Sequence, residues 1–148
     1  MTRAPATAKL NLALVVGPRG EDGKHEVATV LQRLDLCDRV SIERSARLRV
    51  EGFAPDTLVR GALERLAEAA GVEPWWSARI WKRIPVASGL GGGSSDAATA
   101  LRLANASLAE PLPPGSYTVR YTLESEPPDL PPGAALAVPR QTGTVSVR

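Results

Sequence analysis

Residues 85–95 concentrate the chemistry-bearing residues of this chain: Pro85, Val86, Ala87, Ser88, Gly89, Leu90, Gly91, Gly92, Gly93, Ser94 and Ser95, followed directly by Asp96, Ala97 and Ala98. Four glycines within five residues strip away side chains, so backbone N–H groups can approach phosphate oxygens closely. An alanine-rich segment follows and reads as a helix, whose unsatisfied first amides and positive dipole end would face the same place. Ser94 and Ser95 add hydroxyls suited to phosphate oxygens or a magnesium ion. Two familiar phosphate loops are excluded. The run lacks the Gly-Lys-Ser/Thr ending of a Walker A loop, and Ser94 stands where the dinucleotide fingerprint needs its last glycine. A Gly/Ser linker would not be flanked by an apolar strand and an alanine-rich helix.

The surrounding elements must position that loop. Leu10, Leu12, Leu14 and Val16 alternate with Lys9, Asn11, Ala13 and Val15, which predicts a strand with Lys9 and Asn11 on one face. The glycine-rich stretch 17–24 predicts a turn, and 25–36 a returning strand. The runs 40–42 and 48–50 have the alternation of a hairpin. Asp56 and Gly71 bracket the strongest helical stripe, formed by Leu58, Val59, Ala62, Leu63, Leu66 and Ala70. Residues 77–86 predict a strand ended by Pro85. Residues 95–108 predict a second helix that buries Ala97, Ala98, Leu101, Ala104 and Leu108. Strands leading and helices following favour an α+β fold. Trp75, Trp76 and Trp81 are expected to cluster behind the loop.

At 148 residues with 43% hydrophobic content, the chain can build one ordinary core. A formal charge of +2 suits phosphate-bearing ligands but is too small to argue for nucleic acid. Arg44, Arg47 and Arg49 could serve an RNA-binding sheet, but no aromatic platform accompanies them. The single cysteine, Cys37, excludes an internal disulfide and reads as a half-buried hydrophobe; no Cys/His cluster offers a metal site. The N-terminal apolar run is broken by Lys9 and Asn11, so neither a signal peptide nor a membrane span is expected, and the default expectation is a cytoplasmic enzyme. Seven of the 13 prolines lie between Pro111 and Pro132, which divides the chain into residues 1–111 and a proline-rich tail, 112–148.

The stretch PVASGLGGGSSDAATAL resembles the ATP-binding signature of the GHMP family of small-molecule kinases. ATAKLNLALVV and EDGKHEVATVLQRLDLCD are similar to two earlier blocks of one member, which uses ATP and Mg²⁺ to phosphorylate the 2-hydroxyl of a cytidyl diphosphate alcohol in non-mevalonate isoprenoid synthesis. The resemblance covers residues 6–105. It implies an α+β domain like the second domain of ribosomal protein S5, with a ferredoxin-like domain after it. It also implies that Lys9 acts at the reacting phosphate, that Asn11 orients substrate, and that His25 hydrogen-bonds the cytosine. Lys24 stands where the family places an aromatic that stacks on the base, and it cannot reproduce that stacking.

The family's later block, which carries a base aspartate in a G-A/S-D-V-P-F-F type segment, has no counterpart in residues 106–148, and the tail only weakly resembles a remnant of a later segment. Two expectations follow: an ATP-dependent kinase, or a non-catalytic ATP-binding or interaction domain derived from one. In either case a poor rate of phosphoryl transfer and self-association through exposed core are expected of these residues alone. Lys82 and Arg83, just before the loop, are expected either to help neutralise a triphosphate or to lie on an exposed strand face. Asp96 is expected to complement the helix dipole rather than to bind metal.

Overall fold

The computed structural model describes residues 1–19, 25–53, 58–113, 121–123 and 141–143. It divides into two compact units, Met1–Pro111 and Leu112–Arg148. In the first, β1 (Thr2–Arg19), β2 (His25–Arg44), β3 (Arg49–Glu51) and β4 (Trp76–Trp81) form a mixed sheet in the order β1-β2-β4-β3. Helices α1 (Leu58–Ala70) and α2 (Gly92–Asn105) pack on each other, with α1 also against β3 and α2 against β1, β2 and β4. This is the α+β architecture expected. In the second unit the described residues form a short antiparallel pair, β5 (Tyr121–Leu123) and β6 (Gln141–Gly143). Asp56, Lys24 and most of the proline-rich tail lie outside the described residues.

Strand β2 runs unbroken through the two segments that the sequence suggested as separate strands. Its first part pairs only with β1, so the two make a projecting ribbon. Its last six residues, Arg39–Arg44, also pair antiparallel with β4. The ribbon leaves Leu12, Leu14, Val16, Val27, Val30 and Leu31 exposed.

The hairpin expected between residues 40–42 and 48–50 does not form. Residues 49–51 pair in parallel with β4 instead, and β4 lies between β2 and β3. The reason is local. Ser45 N–H donates to the Trp75 carbonyl, so the chain leaving β2 crosses the start of β4 rather than folding back. Gly52 then passes against β4 with φ +91°, and a Cβ there would fall 2.0 Å from the Ile80 carbonyl oxygen. A parallel pair needs a crossover, and α1 provides it.

Helix α1 buries Val59, Ala62, Leu63, Leu66 and Ala67. It ends in a Schellman motif: Val72 N–H reaches the Ala67 carbonyl, Gly71 N–H reaches Glu68, and Gly71 takes φ +63°. Helix α2 starts three residues before the expected position, within the glycines. Its buried face is accordingly Gly92, Asp96, Thr99, Ala100, Leu101 and Ala104, while Ala97 and Ala98 are only half-buried. Small side chains on both surfaces, Ala6 and Ala8 on β1 and Ala100 and Ala104 on α2, let the helix lie close to the sheet. Trp76 is buried and donates its indole N–H to Ser107 Oγ, whereas Trp75 and Trp81 are exposed, so the expected tryptophan cluster does not form. Strand β4 ends at Trp81, four residues before Pro85, because the chain there turns to meet Asp38.

Gly52→Ala tests the close approach of β3 to β4. The forced left-handed φ alone costs about 1–3 kcal/mol, and the carbonyl overlap adds to it. The urea midpoint should fall sharply with an unchanged m-value; an unchanged midpoint would contradict the parallel pairing.

Candidate active site

The loop from Lys82 to Gly91 joins β4 to α2, and each end is fixed by a different device. At its start, Asp38 reaches across from β2. Its Oδ1 accepts the N–H groups of Arg83 (2.5 Å) and Ile84 (2.8 Å), and its Oδ2 accepts Lys82 Nζ at 2.5 Å. Inside the loop, Ser88 Oγ donates to the Pro85 carbonyl at 2.7 Å. Three alternate residues take left-handed backbone, Ala87 (φ +58°), Gly89 (φ +74°) and Gly91 (φ +70°), and coil the chain into the helix. Val86 is exposed, and a Cβ on Gly89 would meet nothing within 4 Å, so the loop's outer side is open.

The four glycines have two different jobs. Gly89 and Gly91 supply left-handed backbone. Gly92 and Gly93 lie in the first turn of α2, where added Cβ atoms would meet Ile84 and Lys82 in one case and Leu58 Cδ1, at 2.9 Å, in the other. This pair therefore lets the helix start come close to the segment that follows β4, at Lys82 and Ile84, and to the start of α1 at Leu58. No side chain caps the helix; Gly91 stands at the N-cap, and its carbonyl accepts the Ser95 N–H at 3.0 Å. The amides of Gly92, Gly93 and Ser94 precede the first intrahelical bond, as at any helix start. Ser94 is exposed and Ser95 half-buried.

Lys9 meets this helix start from β1. Its backbone N–H donates to the Leu90 carbonyl at 3.0 Å, and its aliphatic stem lies along Gly91, where a Cβ would come 3.2 Å from both Cγ and Cε. Its Nζ donates to Asn11 Oδ1 at 2.5 Å. Asn11 Nδ2 in turn donates to Thr29 Oγ1 (2.7 Å), whose hydroxyl is anchored on the Ala13 carbonyl (2.8 Å). The β1–β2 register shifts on both sides of this pair, between Thr7 and Lys9 and between Asn11 and Ala13. Such irregularities re-aim side chains next to functional sites. Lys9, Asn11 and residues 89–95 are thus brought together.

His25 is not part of that group. It starts β2 opposite Arg19, at the far end of the ribbon, with Nδ1 2.9 Å from the Gly17 carbonyl. Arg33, the partner of Lys9, is eight residues further along β2, a separation of roughly 26 Å at the ordinary strand rise.

Lys82 sits apart from the open side of the loop. Its side chain is 17% exposed, and its Nζ binds Asp38 at 2.5 Å and Asp96 at 2.8 Å, with the Phe53 ring 5.8 Å away. Its charge is therefore committed to two carboxylates and is not turned to the loop. Arg83, by contrast, is exposed. Asp96 lies one turn inside α2, buried and pointing at Lys82, so it does not serve the dipole role expected of a first-turn acid. Burial pushes the Asp96 carboxyl up to about 6, against the pull of Lys82, and its Oδ1 has no partner among the described residues. Asp38 is also desolvated, but the Arg83 and Ile84 amides and Lys82 outweigh that and hold it below the usual carboxylate range. Sequence reasoning gave Asp38 no role and did not pick out Thr29. The one signal available was an acid whose neighbours two positions away on either side, Leu36 and Val40, are apolar.

A phosphate-bearing ligand fits the arrangement on its open side: a helix start with free amides, a bare Gly89, and a lysine held at the same point. No group of three His, Cys, Asp or Glu residues that could hold a metal ion occurs among the described residues, and Asp38 and Asp96 are both engaged with Lys82.

A mixed sheet covered by two helices, with a glycine loop feeding the second helix beside a strand lysine, is the arrangement of a known domain. The family profile described as the GHMP kinases N terminal domain matches residues 57–132, more than half of the chain, and the chain belongs to the GHMP kinase family. It is 46% identical over 106 residues to the 4-diphosphocytidyl-2-C-methyl-D-erythritol kinase of Anaeromyxobacter dehalogenans, covering 66% of this chain and 34% of that protein. The kinase of the same name from Persephonella marina is 40% identical over 114 residues, covering 73% and 41% respectively. A crystal structure of 4-(cytidine 5'-diphospho)-2C-methyl-D-erythritol kinase superposes with a TM-score of 0.63 at 40% identity, over 71% of this chain and 40% of that one. A mevalonate kinase structure, 12% identical with a TM-score of 0.56, shares the fold. The chain spans between a third and about two fifths of the length of these curated relatives.

Asp96 makes stability depend on pH in a defined window. Its folded value lies above the ordinary 3.8, so the folded state binds the extra proton, and stability from this group is lost as pH rises from 3.8 to about 6. Asp38 acts in the opposite sense and below that window: its contribution is present above 3.8 and is lost as pH falls through its depressed value. Denaturant titrations at pH 4.5 and 7 should therefore show wild type losing stability relative to Asp96→Asn on going to pH 7. A constant difference between the two proteins would contradict the burial of Asp96.

Proposed function

We propose that this chain supplies the ATP-binding part of a kinase that phosphorylates the 2-hydroxyl of 4-diphosphocytidyl-2-C-methyl-D-erythritol. The observation that carries the reading is the seat of Lys9: backbone-bonded to Leu90, laid along Gly91, and steered by Asn11 at the start of α2. The triphosphate lies on the open side of residues 85–95, its oxygens facing the amides of Gly92, Gly93 and Ser94 and the Ser94 and Ser95 hydroxyls. The side chains of Pro85, Val86, Ala87, Ser88 and Leu90 frame the nucleotide. Mg²⁺ would supply further neutralisation of the phosphate charge, and the Ser94 and Ser95 hydroxyls would hold it, since Asp38 and Asp96 are engaged with Lys82.

Phosphoryl transfer is governed mainly by positioning and by neutralising charge on the equatorial oxygens. Lys9 does the second. Its ammonium, at the positive end of a helix, stabilises charge on the transferring group and favours the alkoxide form of the attacking hydroxyl. Asn11 orients both the ammonium and the alcohol. His25 is assigned to the cytidyl end of the substrate, the end remote from the reacting hydroxyl. The relatives named above supply the substrate's identity.

Calorimetric titration with ATP and transfer of labelled phosphate test two separate parts of this reading. Lys9→Ala should leave ATP affinity within a few-fold while reducing phosphoryl transfer by about tenfold or more, equal to about 1.4 kcal/mol of transition-state stabilisation. Gly89→Val points a side chain into the phosphate space, at a backbone strain of about 1–2 kcal/mol, and should abolish ATP binding while the fold persists. Wild-type ATP affinity in Gly89→Val would exclude the loop as the phosphate site; wild-type transfer in Lys9→Ala would make that residue a bystander.

A further inference from the structure

We infer that Asp38, Lys82 and Asp96 form a positioning clamp that sets the phosphate loop against the start of α2, and that nucleotide affinity depends on it although none of the three touches the ligand. The inference rests on the nucleotide-binding reading above. Each residue holds a different part of the assembly. Asp38, fully buried in β2, takes two amides near the start of the loop, those of Arg83 and Ile84, on one oxygen. Its other oxygen takes Lys82 Nζ, and the same ammonium reaches Asp96 in α2. Lys82 therefore ties the first residue after β4 to the helix that the loop leads into, so residues 83–95 are pinned at both ends through one cation.

The location of that cation makes the tie specific. A Cβ on Gly92 would come 3.2 Å from Lys82 Nζ, so the ammonium lies directly beneath the first residue of α2, on the core side, while Lys9 occupies the ligand side at Gly91. Movement of α2 along its axis would change the Lys82–Asp96 contact and the spacing between the helix amides and Lys9 together. Charge balance points the same way. Two carboxylates share one ammonium, and Asp96 Oδ1 has no partner among the described residues, which is poor design for stability alone. An apolar trio would pack here without that deficit. What the ionic trio adds is direction, because hydrogen bonds fix a geometry that hydrophobic contact does not.

The test uses the full chain. Asp96→Ala removes the helix end of the clamp, Asp96→Asn keeps an acceptor for Lys82, and Leu66→Ala in α1 serves as a destabilised control remote from the loop. ATP affinity is measured by calorimetry well below each melting temperature, and hydrogen exchange is followed at the amides of residues 83–95. Asp96→Ala should bind ATP about tenfold or more weakly and lose protection across those amides. Asp96→Asn should return affinity to within a few-fold of wild type, and Leu66→Ala should leave it unchanged. If Asp96→Ala does not fold, the double variant Lys82→Met/Asp96→Asn, which removes the shared cation, replaces it with the same expected loss. Wild-type affinity in Asp96→Ala, or an equal loss in Leu66→Ala, would overturn the clamp while leaving the nucleotide site intact. Failure of wild type itself to bind ATP would overturn the site reading and the clamp's role with it.

Discussion

Asp38 is a fully buried carboxylate on the inner face of a strand, and much of the architecture around the site is arranged to satisfy it. A buried charge with no donors costs several kcal/mol, so a strand that carries one must be met by N–H groups from elsewhere. Here they come from the chain leaving β4. That demand explains why β4 stops at Trp81: its next residues turn their amides toward β2 instead of continuing a ladder. Once the chain has turned, Lys82 can reach only inward, and Asp96 is the second carboxylate waiting there. The loop begins where it does because of this arrangement, and it ends where Gly91, Gly92 and Gly93 allow α2 to start.

The sheet order serves the same end. Placing β4 between β2 and β3 puts the exit of β4 beside Asp38, which an order with β2 and β3 adjacent would not do. The cost is a chain that must cross the start of β4 and then run against it, and only Gly52 can do so at that distance from Ile80. Alanines on the sheet complete the geometry. Ala6 and Ala8 leave α2 room to settle over β1, which brings the helix start within reach of Lys9. Strand order, one glycine and two alanines therefore locate the site as firmly as the residues that form it.

Much of this was legible in the sequence, and the parts that were not share a cause. The loop, both helices, the Lys9–Asn11 face and the cap at Gly71 all follow from local spacing, and local rules govern them. The parallel pairing of β3, the unbroken length of β2 and the early start of α2 depend on what lies across the sheet. Two short alternating runs read as a hairpin because adjacency is the commonest outcome; nothing in residues 40–50 reveals that β4 will come between them. Glycines at 92 and 93 read as loop because their helix is stabilised by close approach to Ile84 and Leu58 rather than by propensity. The burial of Asp96 was missed for a related reason. Setting the helix start three residues late placed that acid in the first turn, where an exposed dipole role is natural.

Lys9 and Lys82 show why residue type near a phosphate loop does not settle residue role. Both are lysines, both belong to or adjoin a strand of the same sheet, and both stand within van der Waals reach of a Cβ that the adjacent glycines lack. What separates them is which side of α2 they approach. Lys82 comes from the core side, meets two buried carboxylates, and has its charge cancelled there. Lys9 comes from β1, on the side of Leu90 and Gly91, and its neighbour Asn11 is neutral, so its charge is oriented without being cancelled. A carboxylate in place of Asn11 would hold the ammonium equally well and would cancel the field that the proposed triphosphate would require. The amide is the side chain that does the first without the second, and Thr29, by occupying its N–H group, ensures that the oxygen faces the lysine. Fixing a cation while leaving it electrostatically available is the demand that the proposed phosphoryl transfer would place on Lys9, and a strand pair bounded by two register shifts gives the lysine that setting.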